Sequence, residues 1–180
     1  MKTIPILASM AFMLLVQPSL ASMVELWSTT KLANESDSVR IGKVSTQWSS
    51  WDPQTKSIST YIKLKVIDTV KGPSEEEILI KQPGGEVGDI GMRVHGMATF
   101  ISGEKVLVFL KDRSVVGMAQ GKYHVSNDPE TGEEVAEFSA PPDVEFYDPI
   151  RQTLRQQVHG LNLKKKVPLK YLIEEIRNAK

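Results

Sequence analysis

The chain has 180 residues, 22 basic against 22 acidic, 41% hydrophobic residues and no cysteine. So even a balance leaves no broad electrostatic footprint for nucleic acid or an anionic membrane. The missing cysteines exclude a disulfide scaffold, so core packing alone must hold the fold.

The first segment reads as a cleavable secretory leader. Lys2 gives the positive start, Ile4 to Val16 is an apolar run, and Pro18 ends it. Ser19-Leu20-Ala21 then places small residues where a signal peptidase reads them, with the cut between Ala21 and Ser22. The run is about 13 residues, too short for a span that needs roughly 20. Removing residues 1–21 leaves 159 residues, the size of one domain. The expectation is an exported protein, periplasmic or secreted, with no membrane insertion once the leader is gone.

Ser28 caps a short helix over Thr29 to Ser36, with Leu32 and Ala33 facing inward. Val39 to Trp51 reads as a strand. Val39 and Ile41 share one parity, whereas Val44, Thr46 and Trp48 share the other, which predicts a bulge at Gly42. Trp51 to Gln54 reads as a turn. Ile58, Thr60, Ile62, Leu64, Val66 and Val70 then alternate with Ser59, Tyr61, Lys63, Lys65 and Lys71. Period-2 alternation of that length is a half-buried antiparallel strand, paired with its predecessor in a long hairpin.

Glu77 to Lys81 is a short strand that Pro83-Gly84-Gly85 is expected to stop. Val106 to Leu110 is apolar on both parities and reads as a central strand covered on both faces. Val115 to Met118, Lys122 to Val125 and Val135 to Phe138 read as further strands, the last two joined by a turn over Asp128 to Gly132. Residues 139–166 read as an irregular linker, ending in a solvated turn at Lys164-Lys165-Lys166. Pro168 opens a terminal helix, about 167–178, with Leu169, Leu172, Ile173 and Ile176 on one stripe. The expected fold is mainly β, a small twisted antiparallel barrel or sandwich with a short N-terminal helix and a C-terminal amphipathic helix. Its β core spans about 38–138.

Chemistry-bearing residues are sparse. His95, His124 and His159 stand about 29 and 35 residues apart, unlike the close pairs of a zinc site. Ser102 sits in a plain turn with no nucleophile elbow around it. No cofactor is implied. The most unusual stretch is the glycine-rich segment from Gly84 to Gly96. Gly84, Gly85, Glu86, Gly88, Asp89 and Gly91 form a candidate binding loop, where paired glycines let a partner's backbone approach. The plainer account is a hairpin or bulged strand needing positive φ. Trp48, Trp51, Tyr61 and Tyr123 are candidates for an aromatic surface. Trp48 and Trp51 lie three apart in a strand, so one is expected in the core and the other exposed. Asp68, Glu86, Asp89 and His95 are the residues an enzyme reading would have to join.

The order of Ser36-Asp37, Ile41-Gly42-Lys43-Val44, Val70-Lys71-Gly72, Pro83-Gly84-Gly85-Glu86, Gly103 to Leu110 and Gly121-Lys122-Tyr123 resembles a group of uncharacterised exported bacterial proteins. In some of them a similar segment stands beside a matrixin-type zinc peptidase domain. The strand pattern is also similar to the barrel of tissue metalloproteinase inhibitors. The resemblance covers about Thr29 to Val125 and implies a fold. No HExxH is present, so no catalytic residue is carried over. The function expected from the residues is a non-enzymatic binding module with a protein or peptide partner. The resemblance implies as the alternative an accessory or inhibitor of an exported peptidase.

Overall fold

The computed structural model describes residues 22–142, 144–148, 153–155 and 164–179. Ala21 and the rest of the expected leader, and His159, lie outside the described residues. In chain order the elements are β1 (Ser22–Glu25), α1 (Thr29–Glu35), β2 (Ser38–Asp52), β3 (Ser57–Lys71) and β4 (Glu77–Pro83). Next come β5 (Gly85–Val87), β6 (Ile90–Met92), β7 (Lys105–Lys111), β8 (Ser114–Val115) and a single 3-10 turn (Met118–Gly121). The chain continues with β9 (Lys122–Asn127), β10 (Glu134–Ser139), β11 (Val144–Asp148), β12 (Thr153–Arg155), β13 (Lys164–Pro168) and α2 (Leu169–Arg177).

Most strands join one antiparallel sheet in the order β13-β10-β9-β7-β2-β3-β4, with β8 folded back onto β7. The path has two ends, so among the described residues the sheet does not close into a barrel. It does curl: α2 packs against both β10 and β3, which three strands separate in that order. β1, β11 and β12 form a second sheet, in which β1 runs parallel to β11.

The long β2–β3 hairpin carries the period-2 signal into structure. Ile58, Ile62, Leu64 and Val70 are buried while Lys65 and Ile67 face solvent. The register slips between Ile41 and Gly42, where the bulge is expected. A Cβ on Gly42 would stand 2.6 Å from the Lys65 carbonyl oxygen, so the close approach of β3 requires glycine there. β7 lies between β2 and β9, and Val106 to Leu110 are buried on both parities. Ser28 caps α1 by accepting from Lys31 N–H at 3.1 Å, and Leu32 and Ala33 enter the core. The other end of α1 is held by Lys71, whose ammonium donates to the carbonyls of Ala33 (2.6 Å) and Ser36 (2.8 Å). A cation there also complements the helix dipole. In α2, Leu169, Leu172 and Ile176 are buried and Lys170, Glu174 and Glu175 are not.

Several expectations are corrected. The hairpin turn lies at Pro53–Lys56, because pairing runs on through Trp51 and Asp52. β4 extends through Pro83, which pairs with Ser59 on the edge strand, where a missing donor costs least. Of the strand expected over Val115 to Met118 only Val115 falls in β8, beside Ser114. Gly117 and Met118 have φ of 63° and 60°, which breaks the extended chain into the 3-10 turn. The linker expected over 139–166 holds β11, β12 and the start of β13. The turn expected at Lys164-Lys165-Lys166 is strand, paired with Phe138, Glu137 and Ser139 of β10. Lysines suit that place, since they blunt the open edge of a sheet.

Candidate functional site

An open groove of about 850 Å³ lies between the β5–β6 hairpin, the segment 94–101, and the ends of β9 and β10. Gly84, Gly85, Glu86 and Gly91 of the candidate loop line it. Gly88 and Asp89 form the turn between β5 and β6 and are not among its lining residues. The glycine-rich segment is therefore a hairpin with positive φ at Gly84 (99°), Gly85 (131°) and Gly88 (59°). Thr60 Oγ1 donates to the Gly84 carbonyl at 2.7 Å, fastening the hairpin to β3.

The opposite side carries charge that sequence reading did not join. Lys122 Nζ lies 2.9 Å from the Glu104 carboxylate and donates to the Thr99 carbonyl at 2.7 Å. Its Nζ also sits 5.2 Å from the centre of the Phe100 ring. Glu104 Oε1 accepts from Ile101 N–H at 2.8 Å, and His124 Nδ1 is 3.4 Å from Glu104 Oε2. Glu104 and Lys122 are nearly buried, at 7% and 15% side-chain exposure, whereas His124 is half open. Lys122 and His124 are alternate residues of β9 and so share a face. Glu137 lies opposite His124 on β10 and also lines the groove. The ion pair uses the hydrogen-bonding capacity of Lys122 to anchor the 99–104 loop. His124 and Glu137 stand beside that pair on the groove wall. Val94 and Ile101 add apolar lining and are exposed.

The aromatic candidates lie elsewhere. Trp48 stacks on Tyr61, ring centres 5.6 Å apart and 16° from parallel. Both Trp48 (46%) and Trp51 (52%) are exposed, contrary to the expectation that one is core. They do point to opposite faces. Both stand in the outer part of the hairpin, beyond the Ser38 to Lys43 stretch of β2 that β7 pairs, and there each ring stays exposed although Ile58 beside Trp51 is buried. Tyr123 is buried instead, in a chain of rings from Phe109 through Tyr123 and Phe138 to Phe146. Asp68 does not line the groove that Glu86 lines. Among the described residues no three His, Asp or Glu side chains converge as a metal site.

Two other charged arrangements hold the fold. Arg40 is fully buried and donates to the carbonyls of Val39, Lys71 and Pro73, pinning the β3–β4 turn. Burial holds its pKa below the ordinary value, with Glu75 and Asp37 pulling the other way. Asp52 accepts from Lys81, from Gln54 N–H (3.0 Å) and from Thr55 Oγ1 (2.9 Å). These bonds, the one from Lys81 first, bring its pKa down to about 2.

No family model, curated protein or solved structure matches this chain.

Proposed function

We propose that the protein is an exported binding module without catalytic chemistry of its own, and that the groove is its contact surface for a protein or peptide. The observation that carries this reading is the groove itself: about 850 Å³, walled by a glycine-rich hairpin on one side and a fixed ion pair on the other. A mostly preformed concavity with a few convergent polar groups is the usual form of a recognition site. Glu104 and Lys122 neutralise each other, which suits holding a shape more than transferring a proton. Within the same reading the curled sheet is a small, incompletely closed barrel. Support comes from Lys81 N–H donating at 3.0 Å to the Arg113 carbonyl, which links β4 to the turn between β7 and β8.

The test is capture of partners from the producing cells and their medium by the purified protein and by a Val94→Asp, Ile101→Asp variant. Both side chains are exposed, so the variant is expected to fold normally and to lose the captured partner. Equal capture by the variant, or turnover of peptides or glycans by the pure protein, overturns the proposal.

A further inference from the structure

Among the described residues, the β5–β6 hairpin is the sheet with the fewest strands. Among the described residues β5 pairs with β6 alone, matching Gly85 with Met92, Glu86 with Gly91 and Val87 with Ile90. Gly88 and Asp89 form the turn, and Gly88 at φ 59° supplies the positive φ such a turn demands. A two-residue connection closes on a hydrogen-bonded pair, and bonded and unbonded pairs alternate along an antiparallel ladder. Val87–Ile90 is therefore the bonded pair and Glu86–Gly91 the unbonded one. The N–H and C=O of Gly91 thus point away from β5. Among the described residues, Gly91 makes no backbone hydrogen bond outside its own hairpin.

Gly91 is also a glycine that the fold does not require. Its φ is outside the left-handed region, and a Cβ there would meet only Glu86 Cγ, at an ordinary 3.6 Å. A strand-interior glycine gives up stability, and it often marks a place where another backbone comes close. Gly91 is exposed and lines the groove. Glu86 across from it and Asp89 at the turn are exposed too, and among the described residues neither belongs to an ion pair. Among the described residues, an open main-chain edge, a bare glycine and two carboxylates outside any ion pair therefore meet on one hairpin.

We propose that the outer edge of β6 takes an extended, basic peptide segment of a partner protein as an added strand. The N–H and C=O of Gly91 exchange main-chain hydrogen bonds with the peptide, and a peptide Lys or Arg faces Glu86. Strand addition draws affinity from the backbone and selectivity from alternate side chains. This rests on the groove reading above and names the class of its occupant.

The test selects a phage-displayed library of random short peptides on the purified protein. The best binder is then synthesised plain and N-methylated at alternate residues. The expected binder carries Lys or Arg, slows amide exchange at Gly91, and binds at least about tenfold more weakly when N-methylated. Gly91→Val is expected to weaken binding by a similar factor with the thermal midpoint unchanged. If that variant fails to fold, N-methylation and Gly91 exchange still decide the matter. Equal binding of the N-methylated peptide with no change at Gly91 overturns strand addition. In that case, loss of the same binding in the Val94→Asp, Ile101→Asp variant leaves the groove reading standing. A selection that yields no binder, or only acidic ones, overturns the proposal.

Discussion

A Cβ on Gly85 would stand 2.2 Å from the Ser49 hydroxyl oxygen and 2.5 Å from that of Thr60. Those hydroxyls bond each other at 3.0 Å, so the hairpin rests its bare backbone on a polar seam between β2 and β3. Gly85→Val therefore meets overpacking and a positive φ together. The expected loss is about 2–4 kcal/mol in urea unfolding. An unchanged urea midpoint would show that the hairpin does not sit on that seam.

Arg40 gives the second expectation. Its guanidinium serves three carbonyls from a fully buried position. Arg40→Ala removes the donors and leaves the Lys71 and Pro73 carbonyls to find water, at a cost of about 3 kcal/mol or more. Arg40→Lys is expected to recover only part of this, because a compact ammonium cannot span the fork. Full recovery by lysine, measured by chemical denaturation, would show that charge alone suffices.

The acid limb of stability follows from Asp52 and Asp128. Asp128 takes bonds from Lys166 and from the N–H groups of Glu130 and Thr131, and like Asp52 it is brought down to about 2 from an ordinary 3.8. A carboxylate depressed in the folded state stabilises fully above its unfolded value, and that contribution is lost as pH falls from about 4 to about 2. Asp52→Asn and Asp128→Asn should each flatten the fall of thermal midpoint across that window. Identical slopes in wild type and both variants would contradict these assignments. The alkaline limb has a counterpart in Tyr123. Burial first, then the charge of Glu175, pushes its pKa up to about 12. Its contribution is present below the unfolded value near 10 and lost as pH rises towards 12. Absorbance titration of Tyr123→Phe against wild type reads that group directly.

The elements legible in the sequence are those whose signals are local. Ser28 capping α1, the parity change at Gly42, the alternation of Ile58 to Val70 and the stripe of α2 need only neighbours a few residues away. The rest depended on distant partners. β11 looks irregular because prolines flank it, yet it pairs with β1 from the other end of the described chain. β13 is hidden by its lysines, which belong on an edge but resemble a solvated turn. Trp48 and Trp51 were placed on opposite faces correctly. What local spacing does not show is that both rings stand in the outer part of the hairpin, past the stretch that β7 pairs, where each stays exposed. For the groove, Glu104 is 18 residues from Lys122 and 20 from His124. No spacing rule joins them; the shared parity of Lys122 and His124 about Tyr123 was the one available hint.

The parallel match of Ser22 to Val144 has a consequence for assembly. Parallel pairing over such a separation must close a long loop before any contact repays it, and such steps come late. However quickly the central hairpin zips, the first strand stays undocked until the far quarter of the polypeptide has arrived. The smaller sheet therefore cannot be complete before residues 144–148 have been made, however early the rest of the fold forms.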